Sequence, residues 1–206
     1  MNALTIVAAS VLSLGALVCV VGLGWLVFTA QRWHFSGDVA VAKGSAAKGV
    51  LYAFTVGMLP WEKESARRHW VAYLRGVVFH AGIFVGVAFL FVTPWLATLP
   101  ATLRLAISMV LALAAAAGLA GFWLRYHDRM LRPVSTPDDY TSLALASLFL
   151  ISGSLSAACV EFLPLFWILT GVTLAYTPFS KLRHFVYFFY ARTFFGLMFG
   201  QRGILK

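Results

Sequence analysis

Residues 162–185 read FLPLFWILTGVTLAYTPFSKLRHF. The stretch 162–180 carries no charged residue and is long and greasy enough to cross a bilayer, which takes about 20 mostly apolar residues. It ends at Lys181, Arg183 and His184, so the histidine falls at the rim of the span. That one reading sets the class. The whole chain agrees with it: of 206 residues, 61% are apolar and 11% charged, where a soluble domain carries about a quarter charged.

Four more runs of similar kind precede it. The spans read as about 3–29, 71–98, 102–124, 139–159 and 162–190, the last running past the membrane edge. The expected architecture is an all-α integral membrane protein, a bundle of five transmembrane helices forming one domain over 1–206. No repeat, low-complexity tract or long linker divides the chain. The first run has no basic residue before it, is too long for a signal peptide, and is followed by a basic loop, so it reads as a retained helix.

The charges then orient the bundle. Arg32, Lys43, Lys48, Lys63, Arg67, Arg68 and Arg75 fall between or just inside the first two spans, and Arg125, Arg129 and Arg132 between the third and fourth. Lys181, Arg183, Arg192, Arg202 and Lys206 follow the fifth. Of the 16 basic residues only Arg104 lies on the other side, and of the acids only Glu161. Basic loops face the cytoplasm, so the N-terminus is expected outside and the C-terminus inside. The net charge of +9 is a topology signal concentrated on one face. Such a face favours anionic lipid headgroups or an acidic partner and needs no nucleic acid to explain it. Cys19 and Cys159 stand apart in apolar segments, without the CxxC spacing of a cluster or zinc site and without a disulfide framework.

Prolines and caps mark some helix ends. STPDDY, 135–140, offers Ser135 or Thr136 as N-cap, Pro137 in the first turn, and Asp138 and Asp139 near the positive helix end. A helix start accounts for this carboxylate pair. Pro94 and Pro100 bracket the short turn after the second span.

The five histidines differ in setting. His34 and His127 fall among charges in loops and read as solvated. His69 follows Arg67 and Arg68 at the mouth of the second span, as a headgroup or propionate contact. It shares a face with His80 only if that helix starts early enough. His80 lies deeper, in GVVFHAGIFVGVAF, 76–89. An ionisable residue within a span is costly and marks a functional site by default, the alternative being a histidine bonded to another helix. Gly76, one turn before His80, leaves room for a flat macrocycle beside the backbone. His184 is the possible counterpart, with Ser180 and Thr177, both small, one and two turns back on the expected continuous helix. Helical bundles build cofactor sites from side chains on facing helices, and two imidazoles on one haem iron make a centre suited to electron transfer. Arg75, Lys181 and Arg183 are near enough in sequence to pair with propionates, or are simple positive-inside anchors.

At FHAGI, 79–83, and PFSKLRH, 178–184, the chain resembles the cytochrome b (gamma) subunit of membrane-bound respiratory nitrate reductase and its relatives in sulfur-metabolism complexes. That family is a five-helix, N-out haem b protein of the bacterial or archaeal plasma membrane. Its nitrate reductase members carry two haems, each key helix supplying a second histidine. The matching positions here are Leu90 and Phe166. The resemblance thus implies one low-spin bis-histidine haem b on His80 and His184, with quinone as a diffusible substrate near it. It also implies a cytoplasmic iron–sulfur subunit as partner.

Two further segments are candidates for contact with lipid or protein. GVLYAFTVGMLPW, 49–61, is too short to span, and FVYFFYARTFFGLMFG, 185–200, is rich in aromatic residues. The expected function is an electron-transfer subunit linking the quinone pool to that partner, acting within an oxidoreductase complex instead of as an enzyme alone. The alternative is a cofactor-free membrane anchor or assembly subunit.

Overall fold

The computed structural model describes residues 2–32 and 41–205, all of it helix, turn and loop. His34 lies outside the described residues. Eight α-helices follow in chain order: α1 (Ala3–Gln31), α2 (Ala46–Phe54), α3 (Glu64–Arg68), α4 (Trp70–Val92), α5 (Ala101–His127), α6 (Pro137–Ala158), α7 (Leu163–Tyr176) and α8 (His184–Gln201). Short 3-10 segments extend α4 through Thr98 and flank α7 from Val160 to Phe179. Five helical stretches are long and apolar enough to cross a membrane: Ala3–Gln31, Trp70–Thr98, Ala101–His127, Pro137–Ala158 and Val160–Phe179. The fold is that of a multi-pass, all-helical membrane protein.

The fifth span corrects the expectation of a helix running to residue 190. Pro178 has no N–H to donate, so one helical bond is lost at this point. The chain tightens to 3-10 over Thr177–Phe179, Ser180 is extended at φ −117° and ψ 178°, and a second 3-10 turn, Lys181–Arg183, precedes α8. Thr177 and Ser180 are buried. Their hydroxyls donate to the carbonyls of Thr173 at 2.8 Å and Thr177 at 3.2 Å, while Ser180 Oγ accepts the Leu182 amide at 3.2 Å. They build the turn, and do not lie on a helical face continuous with His184.

Two compact units emerge, Met1–Gly22 with Leu74–Leu182, and Leu23–Tyr73 with Arg183–Lys206. The first holds the apolar core. Phe166, fully buried, packs against Phe89 and Phe149 with ring centroids 5.5 and 5.4 Å apart, beside Leu111 and Leu150. Each aromatic pair contributes about 0.5–1.5 kcal/mol beyond the area it buries. Around this cluster the helices approach through small residues, the usual device where lipid offers no hydrophobic drive to associate. Gly82 of α4 lies against Ala114 of α5, and Gly86 against the Phe149 ring. Gly15 and Gly171 bring the backbones of α1 and α7 together.

Polar bonds fix the ends of this unit. Arg104 donates from Nε to the Ala157 carbonyl at 3.0 Å and from a terminal nitrogen to Ala158 at 2.7 Å, satisfying carbonyls at the end of α6. Within the same unit, the Ser108 and Ser154 hydroxyls lie 3.1 Å apart, and Trp167 Nε1 donates to Thr93 Oγ1 at 3.2 Å.

The second unit is built on α2 and α8. A side chain on Gly49 would strike the Gly196 carbonyl, one on Gly196 the Val50 backbone at 2.5 Å, and one on Gly200 the Ser45 carbonyl at 2.7 Å. Backbone touches backbone here because Gly196 and Gly200, four apart, share one face of α8. The amides of Lys43 and Gly44 donate to the Gln201 carbonyl at 2.8 and 2.9 Å and close the pair.

Candidate functional site

His80 sits on α4 opposite the face through which Gly82, Gly86 and Phe89 enter the core. It is exposed on the surface of the protein chain. Its Nδ1 lies 2.7 Å from the Gly76 carbonyl oxygen. A carbonyl only accepts, so Nδ1 carries the proton of that bond. In the neutral ring the lone pair is then on Nε2, at the tip of the side chain. Gly76 adds a second feature: among the described residues, a methyl group built on it would meet no atom within 4 Å beyond its own stretch of helix.

His127 makes the same kind of bond, Nδ1 to the Trp123 carbonyl at 3.0 Å, at the end of α5. There the imidazole stacks on the Trp123 indole with centroids 3.7 Å apart and planes 29° from parallel. The back-bond alone therefore does not mark a ligand; the open backbone at Gly76 separates the two histidines. His69 precedes α4, and its carbonyl accepts the Tyr73 amide at 3.0 Å. It stands where the helix begins, one residue before its first α-helical turn.

His184 is exposed and is the first residue of α8. His80 belongs to the first compact unit and His184 to the second. Arg183 places its guanidinium over the Tyr187 ring at 5.9 Å. Arg75, on the His80 helix, is half-buried, and its Nε passes 3.7 Å from the point where Gly121 would carry a side chain. Leu90 and Phe166 both belong to the apolar core, Phe166 at its centre and Leu90 packed against it.

Lys181 has a role that only the folded chain reveals. Its ammonium lies 2.6 Å from Asp139, and its amide donates to Asp138 at 2.8 Å. Asp138 also accepts from the Tyr176 hydroxyl at 2.6 Å and from Ser142 at 3.1 Å. Asp139 accepts the Thr136 amide at 2.8 Å and the Thr136 hydroxyl at 2.9 Å, with Arg125 at 3.5 Å. The acidic pair does start α6, with Thr136 as the N-cap. It also holds the 177–183 turn through hydrogen bonds to the Lys181 amide, the Tyr176 hydroxyl and the Lys181 ammonium. The sequence signal for the first role was the run STPDDY, with Ser135 or Thr136 as cap, Pro137 and the two acids; for the second there was none beyond the turn-forming Pro178.

Among the described residues, no three or more His, Cys, Asp or Glu side chains gather as a metal-binding group. A two-histidine site does not require such a group. In comparisons with known proteins, the chain matches no family model, no curated protein and no solved structure.

Proposed function

We propose that the protein is a membrane electron-transfer subunit that holds one haem b between His80 and His184. It would connect the quinone pool with a cytoplasmic iron–sulfur partner. The proposal takes the basic side of the protein as cytoplasmic, with the N-terminus outside, in a bacterial or archaeal plasma membrane. One observation carries it: His80 Nδ1 donates to the Gly76 carbonyl, which puts the lone pair of the neutral ring on Nε2, and among the described residues a side chain at Gly76 would meet nothing outside its own helix. With His80 and His184 as the residues that would hold it, such a haem would supply reversible one-electron transfer.

The residues of the chain do the rest. The Gly76 carbonyl fixes the His80 tautomer and raises the basicity of Nε2, as outer partners of ligating histidines do. His184 supplies the second imidazole. Arg75 and Arg183 offer positive charge to the propionates, and Lys181 does so while paired with Asp139. No nucleophile or general base is required, since the protein sets geometry, dielectric and charge.

A cofactor-free anchor or assembly subunit is the second reading. The same His80 bond favours it, because Nδ1 is satisfied within its own helix. Substitution decides between them. Expressed with haem supplied, His80→Ala and His184→Ala should each lose the low-spin haem spectrum, whereas His127→Ala should retain it. Wild-type spectra surviving in both alanine variants would remove the ligand assignment.

A further inference from the structure

Where α5 hands over to α6 there is a cavity that the haem reading does not use. It holds about 390 Å³ and is lined by Phe122 and Tyr126 near the end of α5, Arg132 and Ser135 from the connecting loop, and Tyr140 from the start of α6. That size falls within the usual range of small-molecule pockets. All five residues belong to the first compact unit. Direct contacts place them together. Phe122 meets Tyr140 edge-on with centroids 5.6 Å apart, the Tyr140 hydroxyl donates to the Arg125 carbonyl at 3.3 Å, and the Arg132 guanidinium lies 5.4 Å over the Tyr126 ring.

The polar groups around the cavity are committed, with one exception. The Ser135 hydroxyl donates to the Leu131 carbonyl at 2.7 Å and accepts from Arg125 at 3.0 Å. Asp128 accepts the Met130 and Leu131 amides at 2.7 and 3.2 Å. Asp138 and Asp139 are taken up by the 177–183 turn, Thr136 and Arg125. Arg132 pairs with no carboxylate among the described residues; its one partner is the Tyr126 ring. A guanidinium held over a ring is attracted by the π face. Its N–H fork stays available and matches the geometry of a phosphate.

The setting is that of a lipid headgroup. The cavity lies where the third and fourth apolar spans end, and it opens outward, since Arg132 is exposed and Tyr126 is 51% exposed. The loop that carries Arg132 also exposes Met130 at 81% and Val134 at 71%. Large apolar side chains at the end of a span suit the membrane interface better than bulk water. Three of the five lining residues are aromatic, so the cavity calls for one anionic acceptor joined to an apolar body. Basic pockets between membrane helices take anionic headgroups in this way. We propose that the cavity seats the phosphate of an anionic phospholipid on Arg132, with the glycerol and upper acyl region against Phe122, Tyr126 and Tyr140. The seat is independent of the haem reading and needs only a chain residing in a membrane.

The test is native mass spectrometry of the full chain after gentle delipidation, with phosphatidylglycerol or phosphatidylcholine added back. The wild type should retain phosphatidylglycerol preferentially. Arg132→Gln should weaken retention about fivefold, the equivalent of about 1 kcal/mol for one cation at the membrane surface. Arg132→Lys should keep most of it, which separates charge from folding. Tyr126→Ala, at an exposed ring, should also weaken retention, because the guanidinium loses the face that holds it. Arg129→Gln removes an equal charge from the same loop, outside the cavity lining, and should change retention little. Equal losses in Arg129→Gln and Arg132→Gln would mean diffuse attraction to the membrane and would overturn the proposal. So would unchanged retention in Arg132→Gln, equal retention of the two lipids, or glycerol phosphate held as tightly as phosphatidylglycerol.

Discussion

The two halves of α4 are built on opposite plans. Toward its C-terminal end, Gly86 and Phe89 lock into Phe149 and Phe166, and Leu90 packs beside them. Toward its N-terminal end, Gly76 faces open space and His80 presents its ring away from the core. One apolar helix thus carries a filled region and an open one, about 15–20 Å apart by helical rise. Where aromatic side chains fill the space, a polar group has no hydrogen-bond partner to meet it. Where glycine leaves space beside a histidine, the helix's own carbonyl fixes the histidine's tautomer.

The largest expected effect tests the filled half. Replacing Leu90 and Phe166 together by histidine should cost about 3–5 kcal/mol, the usual scale for losing a buried aromatic side chain, and should leave the haem content of the wild type unchanged. Denaturant or thermal unfolding in detergent reads the first result and pyridine haemochrome analysis the second. A stable variant with doubled haem would mean that the phenylalanine cluster does not keep this half closed.

A smaller effect is expected where the fifth span ends. Asp138→Ala removes an acceptor shared by Tyr176, Ser142 and the Lys181 amide and should cost about 2–3 kcal/mol in thermal stability. Glutamine at Lys181, which breaks only the exposed end of a pair with Asp139, should cost less than about 1 kcal/mol. Equal losses would show that the turn depends on the ion pair and not on the Asp138 carboxylate.

The mildest substitutions probe the open half. Gly76→Ala should be neutral or stabilising by up to about 1 kcal/mol, because alanine favours helix and meets no neighbour. Gly76→Phe should fold equally well while lowering haem content, since the ring would take the room beside His80. Matching haem content in the two variants would detach Gly76 from the site.

Much of this plan was legible in the sequence. Hydrophobic length alone gives all five spans, since each run must be apolar along its whole length. The run STPDDY, with Ser135 or Thr136 as cap, Pro137 and the two acids, gives the start of α6. The end of the fifth span was obscured because hydropathy continues through FVYFFY, 185–190, after the helix has broken. Pro178 was the better signal, since its missing N–H acts regardless of how apolar its neighbours are. The pairing of α2 with α8 lay hidden because glycines leave no hydrophobic pattern; the Gly196 and Gly200 spacing was its only trace. Asp138 holding Lys181 belongs to tertiary structure, 43 residues apart in the chain. The tautomer of His80 required the Gly76 bond to be seen.

The most direct test is the ratio of haem to chain in protein purified after expression with haem supplied, read from a reduced-minus-oxidised spectrum together with quantitative amino-acid analysis. The account predicts one low-spin b-type haem per chain. A well-folded chain with no haem would contradict it and leave the membrane anchor as the reading.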